Sequence, residues 1–203
     1  MPSKGVCLVA YGEPARQEAA ASIESLRRWH DWPVTVIGEP VDGATHLPYP
    51  DTDKGGRWAK VNLDKLSPYA ETLYLDADTR VRQPIGAGFE ILSDGWDLVC
   101  TTSLNQDGDW LWHIDEEDRE ATLQETGHML QLGGGVFWFK RNTRTQRLFE
   151  AWRAEWVRWR NQDQGALIRA LHREPVKLWL LPRIWNGGAI VEHRFGKARR
   201  GTA

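Results

Sequence analysis

The chain has 203 residues, with 26 basic and 28 acidic side chains and a formal net charge of -2, and this length suffices for one domain with a sizeable core. The near balance of charge excludes the strong positive field by which many proteins attract nucleic acid or an anionic membrane. Only the tail, residues 194–203, is locally basic. We therefore expect a single domain over residues 1–203.

Cysteine usage and the N-terminal sequence bear on the cellular compartment. Cys7 and Cys100 each lie within an apolar run, where a free thiol behaves as a small buried hydrophobe, and they indicate neither a disulfide framework nor a zinc site. The N-terminal run is too short and too polar for a secretory signal peptide, and no apolar stretch approaches the roughly 20 residues that cross a bilayer. We therefore expect a cytoplasmic protein without a transmembrane segment.

Strand and helix patterns alternate at the start of the chain. An apolar run over 5–11 is followed by a helical pattern over 15–29, with Trp29 on its apolar side, and then by a second apolar run at Val34–Gly38. This order predicts a right-handed βαβ unit in a largely parallel sheet. Ligands of such sheets bind at the carboxyl ends of the strands.

A loop and a short helix separate this unit from the next strand. Residues 40–56 are rich in proline, glycine and aspartate and are predicted to form a loop. A helix is predicted over 57–66, and Pro68 ends it. Arg57 and Lys60 then lie on an element just upstream of the next strand, and they are candidate phosphate contacts.

Two aspartates at alternate positions end the strand that is predicted to begin at Thr72. Because strand side chains alternate between the faces of a sheet, Asp76 and Asp78 leave the backbone on the same side. Two carboxylates in one cleft repel each other unless a cation is present, which favours a divalent metal site. The alternative is an ordinary turn, in which Thr79 and Arg80 cap and pair the aspartates. The spacing alone leaves both interpretations open.

A long segment without a clear pattern follows the strand predicted over 96–101. From 103 to 130 the chain is polar and acidic, and it matches neither the helical nor the strand period. The segment also carries Trp110 and Trp112. Long irregular inserts in compact domains are usually binding loops or lids, and we interpret 103–130 in this way.

Three consecutive glycines, Gly133, Gly134 and Gly135, lead into the strand predicted over 136–139. Their missing side chains allow the backbone to approach a ligand closely. The alternative is a bulge or a flexible entry into the strand. We favour the binding role, because ligands of such sheets collect at this edge.

A helix is predicted from Asn142 onward. Trp152, Trp156 and Trp159 recur there at helical spacing, in a chain that holds 12 tryptophans. Such a stripe forms one apolar helix face. The three indoles are therefore predicted core residues.

The end of the chain is predicted to hold another helix and two short strands. Asp163 and Gln164 stand at the start of the helix. Apolar strands are predicted at Leu178–Leu181 and over 189–191. His193 follows the last of them.

The order of these features resembles a known family. The segments that carry the resemblance are Tyr11-Gly12, Lys60, Tyr74-Leu75-Asp76-Ala77-Asp78, Gly133-Gly134-Gly135, Asp163-Gln164, and His193 with Gly196-Lys197. In order and spacing the chain resembles the nucleotide-sugar glycosyltransferases of the GT-A fold, in particular the glycogenin and galactosyltransferase-like group, over roughly 6–197. The resemblance implies an α/β fold with one Rossmann-like domain, whose mixed and mostly parallel sheet is flanked by helices.

The implied activity is metal-dependent transfer of a sugar from a nucleotide-diphosphate donor, most simply a UDP-sugar, to a hydroxyl acceptor. The resemblance makes Asp76, Asp78 and His193 the ligands of Mn²⁺ or Mg²⁺. A shell of carboxylates and an imidazole fits Mn²⁺ somewhat better than Mg²⁺, and His193 is unprotonated when it ligates. The alternative for His193 is an ordinary surface histidine near a basic tail.

Asp163 and Gln164 are the implied catalytic residues, at a helix start beneath the donor sugar. Asp163 is also suited to an N-cap, and both roles can hold at once. In an inverting enzyme a carboxylate acts as general base on the acceptor hydroxyl, whereas in a retaining enzyme a carboxylate or amide stabilises the oxocarbenium-like state. The sequence leaves both outcomes open.

Further residues are assigned to the donor and the acceptor. The donor-binding residues are Tyr11, Gly12, Arg57, Lys60, Asp76, Ala77, Gly134, Gly135 and Lys197. Tyr11 is equally suited to closing the core. The family pattern continues past the lysine with a Pro-Trp pair, whereas residues 198–200 here are Ala-Arg-Arg.

Three tryptophans are assigned as acceptor platforms, because sugars and bases stack on indole faces. They are Trp110, Trp112 and Trp185. Loop packing is the alternative for each of them. The acceptor itself stays open among a glycan, a protein, a lipid-linked sugar and a modified DNA base, with 103–130 on the acceptor side.

Two other functional classes are compatible with the fold. A sugar-1-phosphate nucleotidyltransferase needs a glycine-rich loop with a basic residue directly after the first strand, whereas 11–14 hold one glycine and an acid. A non-catalytic carbohydrate- or nucleotide-binding domain is the second alternative. Asp76, Asp78 and His193 argue against it, because a binding module does not need a metal-bound diphosphate.

Overall fold

Strands and helices alternate along most of the chain. The structure is a computed structural model that describes residues 3–49, 54–103, 114–127, 131–160 and 162–195. Its strands are β1 (Lys4–Ala10), β2 (Val34–Gly38), β3 (Thr45–Leu47), β4 (Glu71–Asp76), β5 (Thr79–Val81), β6 (Leu98–Thr102), β7 (Leu132–Lys140), β8 (Leu178–Leu181) and β9 (Val191–His193). Its helices are α1 (Glu13–Arg27), α2 (Gly55–Lys60), α3 (Leu63–Leu66), α4 (Ala87–Ser93), α5 (Glu116–Thr126), α6 (Thr143–Trp159) and α7 (Asp163–Arg173), and a 3-10 turn covers Arg183–Trp185.

Seven of these strands form one mixed sheet in the order β3-β2-β1-β4-β7-β6-β8. The pairs β1–β2, β1–β4, β2–β3 and β6–β8 are parallel, whereas β7 runs antiparallel to both β4 and β6. The predicted fold class, a mostly parallel sheet flanked by helices, is therefore confirmed. The remaining strands, β5 and β9, form a separate two-stranded sheet.

Hydrophobic layers cover both faces of the large sheet. Val6 and Leu8 of β1 pack in the layer that contains α1 and α4, whereas Cys7 packs in the layer that contains α6 and α7. The same alternation separates Trp138 from Phe137 on β7. Because both faces of the large sheet are buried, its central strands have nearly continuous apolar sequences.

α6 begins where the sequence predicts. The Asn142 side chain accepts a hydrogen bond from the Thr145 backbone N–H, and the Thr145 hydroxyl accepts one from the Asn142 backbone N–H, which is a capping box. Trp152 and Trp156 are buried in the core as predicted. Trp159, near the last turn, is only half-buried.

α1 differs from the prediction at both ends. It starts at Glu13, two positions earlier than expected, with Pro14 in its first turn. Backbone N–H groups in the first turn have no intrahelical partner, so the missing N–H of proline costs no hydrogen bond there. It ends at Arg27, and Trp29 lies beyond it with 44% of its surface exposed. The predicted place of Trp29 on the buried face is wrong, because the helical period no longer sets side-chain direction after the helix ends.

The helix predicted over 57–66 is two short helices, α2 and α3. The Asn62 side-chain amide donates to the Trp58 carbonyl at 2.8 Å. In a continuous helix that carbonyl would accept the backbone N–H of Asn62, which instead bonds to Ala59 at 3.1 Å. The side chain therefore competes with the helix at this point.

Part of the segment 103–130 is helical, so the prediction of an irregular insert is wrong for α5. The buried side chains of α5 are Asp118, Thr122 and Thr126, which recur every four residues. Asp118 accepts a hydrogen bond from the fully buried Arg169 of α7 at 2.6 Å. Because the buried face is polar, no hydrophobic period marks the helix in the sequence. Residues 104–113 and 128–130 lie outside the described residues, and so the lid role stays a prediction.

The two cysteines are free thiols buried in the sheet. Burial raises the pKa of Cys7 and of Cys100 to about 12, so both thiols remain protonated at neutral pH and serve as apolar core groups. Among the helices that the structure describes, none combines the length and the apolar character needed to cross a bilayer.

Gly88 of α4 tests the packing of this core. A Cβ at Gly88 would lie 2.3 Å from two atoms of the buried Trp138 indole, and a rigid ring in a filled core cannot move aside. We expect Gly88→Ala to lower the free energy of unfolding by about 1–3 kcal/mol, as overpacked cores do. Urea denaturation of the purified protein measures this change.

Gly86, at the start of the same helix, provides the matched control. Its φ is -65°, which alanine adopts freely, and its Cβ would meet only His30 Cε1 at 4.0 Å. Gly86→Ala should therefore leave the free energy of unfolding within about 0.5 kcal/mol of wild type. Equal stability of the two variants would contradict the packing described for α4 and β7.

Candidate active site

An open cleft of about 880 Å³ lies at the carboxyl ends of β1 and β4, the edge at which ligands of α/β sheets bind. The predicted site residues that line it are Arg57, Lys60, Asp76, Ala77, Asp78, Gly134, Gly135, Asp163, Gln164 and His193. They come from α2, β4 and the turn that follows it, β7, α7 and β9, and so from distant parts of the sequence. The fold brings most of the predicted site together.

The two aspartates lie at the turn between β4 and β5. Asp76 is the last residue of β4, and the Thr79 hydroxyl donates to its backbone carbonyl at 2.8 Å. Arg80 pairs with Glu18 of α1 at 2.5 Å. In this structure Thr79 therefore bonds to the backbone of Asp76 and Arg80 pairs with Glu18, whereas in the turn interpretation these two residues cap and pair the aspartates.

β9 carries His193 to the aspartates. It pairs antiparallel with β5, with Thr79 opposite His193, and the Arg194 N–H donates to the Asp78 carbonyl at 3.1 Å. His193 Nε2 lies 3.0 Å from Asp78 Oδ1 and 3.7 Å from Asp76 Oδ2. The last strand was predicted over 189–191; it lies two residues later and includes the histidine itself. One ligand atom from each of the three side chains lies within 4.8 Å of the others.

The glycine triplet makes room for site side chains. The register that pairs Leu75 with Val136 brings Gly135 beside Asp76. A Cβ at Gly135 would lie 2.4 Å from His193 Cε1 and 2.9 Å from Asp76 Oδ2, and one at Gly134 would lie 3.0 Å from Asp163 Oδ2. In this structure the groups that closely approach these glycines are side chains of the candidate site itself: His193 and Asp76 beside Gly135, and Asp163 beside Gly134.

Lys60 forms a buried charge cluster with two carboxylates. Its Nζ lies 2.8 Å from Asp163 Oδ2 and 3.4 Å from Asp76 Oδ1, and only 5% of the residue is exposed. It also lies 5.1 Å from the centre of the Tyr74 ring, and the Tyr74 hydroxyl donates to Asp76 Oδ1 at 2.6 Å. Lys60 was predicted to contact phosphate, whereas its ammonium group lies between these two carboxylates.

The charge states of this cluster follow from burial and from these partners. Burial acts to raise the pKa of Asp163, but the charges of Lys60 and Arg57 outweigh burial and hold that pKa below its usual value. Burial acts to lower the pKa of Lys60, but Asp163 and Asp76 outweigh it and raise that pKa. Burial, and then the charge of Asp76, raises the pKa of Tyr74 well above its usual value. At neutral pH Asp163 is an anion, Lys60 a cation and Tyr74 a neutral donor.

The start of α7 is held in place by three contacts. The Trp152 indole N–H donates to the Asp163 carbonyl at 2.9 Å, and the Gln164 amide donates to the Leu132 carbonyl of β7 at 2.7 Å. Arg57 donates to the Gln162 side chain at 2.7 Å. Gln162 is the N-cap residue and Asp163 is the first helical residue, so the N-cap alternative for Asp163 is wrong.

Some predicted residues lie away from the cleft lining. The Tyr11 ring packs edge-on against Tyr49, with centroids 6.2 Å apart, and the Gly12 N–H points to Glu39 Oε1 at 3.4 Å. The Trp185 ring packs at 75° against Trp138 in the core. Trp110, Trp112 and Lys197 lie outside the described residues.

The residues that contact the His193 ring, Asn186 and Phe195, were not identified from the sequence. Asn186 Oδ1 lies 2.7 Å from His193 Nδ1, and the Phe195 ring stacks on the His193 ring at 4.1 Å. Asn186 stands in a segment punctuated by glycine, and that pattern indicates only a turn. Its contact with His193 depends on the pairing of β9, which no local pattern marks.

Lys60→Met tests the buried charge cluster. The substitution leaves the buried Asp163 carboxylate with Arg57, whose Nε is 3.8 Å away and whose side chain is 48% exposed. We expect a loss of about 3–5 kcal/mol in the free energy of unfolding at neutral pH, as for other broken buried pairs. Because the folded-state pKa of Asp163 is depressed, its stabilising contribution is present above about pH 4 and is lost as the pH falls through the folded-state pKa. The deficit should therefore shrink at about pH 3.

Lys54→Met is the control for this experiment. Lys54 also lines the cleft, but it is exposed and lies 5.0 Å above the Trp58 ring, so its loss should cost less than about 1 kcal/mol at either pH. Urea denaturation at both pH values measures the two variants. A deficit of Lys60→Met that does not change with pH would contradict the charge states given above.

Comparisons with known proteins bear on the fold. No protein-family profile matches the sequence, and no curated protein matches it either. The solved apo structure of WbbM, described as a bifunctional glycosyltransferase, is similar with a TM-score of 0.63 at 14% sequence identity. The similarity covers 98% of this chain and 43% of the WbbM chain, so this chain spans less than half of that protein. The likeness shows that this chain shares a fold with part of that glycosyltransferase, and it does not single out the glycogenin-like group.

Proposed function

We propose that this chain is a metal-dependent glycosyltransferase that moves a sugar from a nucleotide-diphosphate donor, most simply a UDP-sugar, to a hydroxyl acceptor. The observation that carries the proposal is the convergence of Asp76, Asp78 and His193 in the cleft of a glycosyltransferase fold, with ligand atoms within 4.8 Å of one another. The description of WbbM as a glycosyltransferase is consistent with this class of reaction.

The side chains of Asp76, Asp78 and His193 are suitable ligands for a divalent metal ion. Two carboxylates and an imidazole nitrogen are ligands of first-row divalent ions, and the imidazole favours Mn²⁺ over Mg²⁺. The space beside them is kept open by Gly135, because a Cβ there would meet both Asp76 and His193. Asp76, Asp78 and His193 would therefore hold the ion. When bound, such an ion neutralises the negative charge that develops on the departing diphosphate.

Asp163 is best suited to electrostatic stabilisation. Lys60 and Arg57 hold its pKa below the usual value, and an acid with a low pKa is a weak general base near neutral pH. As a fixed anion at the wall of the cleft it would stabilise the positive charge of an oxocarbenium-like sugar. Gln164 would act with it, since its amide is anchored on the backbone of β7.

Of the two predicted phosphate contacts, Arg57 and Lys60, Arg57 is the better placed. Its side chain is 48% exposed and lines the cleft, whereas Lys60 is buried between Asp76 and Asp163. A half-exposed guanidinium retains donors for the diphosphate oxygens. Lys60 would instead keep Asp163 ionised and oriented.

Asp78→Ala tests the proposed function. We expect Mn²⁺-dependent hydrolysis or transfer from one of a panel of nucleotide sugars by the wild type. The variant should lose about 10³-fold in kcat/KM, because several kcal/mol of charge stabilisation at the leaving group is removed. Release of the nucleoside diphosphate, followed with and without EDTA, is the measurement.

Asp94→Ala is the matched control, because Asp94 is an exposed aspartate at the end of α4. Its activity should equal that of the wild type. Undiminished turnover by Asp78→Ala would reject the metal mechanism. Donor binding by the wild type without turnover of any donor would instead favour a non-catalytic binding domain.

A further inference from the structure

A buried amide lies directly behind the imidazole of His193. Asn186 is 4% exposed and follows the 3-10 turn at Arg183–Trp185, to which its backbone N–H is bonded. The next two residues, Gly187 and Gly188, both donate backbone hydrogen bonds to the Val191 carbonyl. Asn186 is thus attached to the same short segment that forms β9 and carries the histidine.

A chain of hydrogen bonds fixes which way this amide points. The Thr101 hydroxyl donates to the Gly133 carbonyl at 3.4 Å, and a carbonyl can only accept. The single hydroxyl proton is then used, so Thr101 Oγ1 accepts from the Asn186 amide nitrogen at 3.1 Å. The amide oxygen is left facing His193 Nδ1 at 2.7 Å, so this hydrogen bond forms only when Nδ1 carries a proton.

The backbone of β6 and β7 creates the space for this chain. The register between the two strands shifts between Cys100, which pairs with Phe137, and Thr101, which pairs with Gly133. A Cβ at Gly133 would lie 2.5 Å from the Asn186 amide nitrogen and 2.6 Å from Thr101 Oγ1. The missing side chain of Gly133 thus leaves room for Asn186, which contacts His193, and for Thr101, which contacts Asn186.

We propose that Asn186 is a positioning residue: it holds His193 in the tautomer with the proton on Nδ1, so that the Nε2 lone pair faces Asp76 and Asp78. This inference rests on the proposed metal site. The hydrogen bond made by one ring nitrogen decides which tautomer is present and how the ring is oriented. Phe195, stacked on the ring face at 4.1 Å, limits rotation of the imidazole.

Nitrogen NMR of the metal-free, ¹⁵N-labelled protein tests the tautomer directly. Spectra are taken in alkaline buffer, where imidazoles are neutral, and the His193 signals are assigned by their loss in His193→Ala. Asp78 Oδ1, 3.0 Å from Nε2, competes with Asn186 for the single ring proton, so we expect a larger population protonated on Nδ1 in the wild type than in Asn186→Ala. Asn186→Asp keeps an acceptor for Nδ1–H and should restore the wild-type tautomer.

Mn²⁺ binding, followed by calorimetry or by the loss of the free-ion EPR signal, is the second readout. Asn186→Ala should weaken Mn²⁺ binding by about 10–100-fold, the range found when an outer-shell partner of a ligand is removed. Asn186→Asp should bind within a few-fold of wild type. Asn142→Ala, which removes the cap of α6, controls for a general loss of stability and should leave Mn²⁺ affinity unchanged.

The outcomes separate this inference from the proposed function. An Asn186→Ala variant whose tautomer populations and Mn²⁺ affinity equal those of the wild type would overturn the role of Asn186 and leave the metal site standing. Absence of Mn²⁺ binding by the wild type would reject the metal site, and the metal-free tautomer would still support or overturn the positioning role.

Discussion

His193 reaches Asp78 because two strands of three residues, β5 and β9, pair antiparallel with Thr79 opposite His193. β5 begins directly after Asp78 and β9 ends at His193, so their register sets the separation of the candidate ligands. A slip of one residue would turn the histidine to the other face of the ribbon. The contact between Asn186 and His193 also depends on this pairing.

Buried charge is the second constraint on the site. Lys60 is surrounded by Asp163 and Asp76, and it keeps Asp163 ionised although burial favours the neutral acid. Buried ion pairs gain little net stability over apolar packing, but they hold charges in defined positions. This cluster joins α2, β4 and α7, and it leaves the Asp163 anion at the wall of the cleft.

The parts of the fold and site that follow a local period could be predicted from the sequence. The βαβ order and the buried faces of Trp152 and Trp156 are of this kind, whereas Asp78 lies in the turn after β4 and so outside the strand period. α5 could not be predicted in this way, because its buried side chains are polar. One of them, Asp118, pairs with Arg169 of α7. No pattern in the sequence marked Asn186 either, because its partner, His193, is brought to it by the pairing of β5 with β9.

We propose that Asp76, Asp78 and His193 hold one divalent ion beside the donor diphosphate. Anomalous diffraction from crystals grown with Mn²⁺ and UDP would locate this ion. We expect one manganese peak bonded to a carboxylate oxygen of Asp76, a carboxylate oxygen of Asp78 and Nε2 of His193, with the diphosphate on its open side. UDP bound in the cleft without a manganese peak between these three side chains would contradict it.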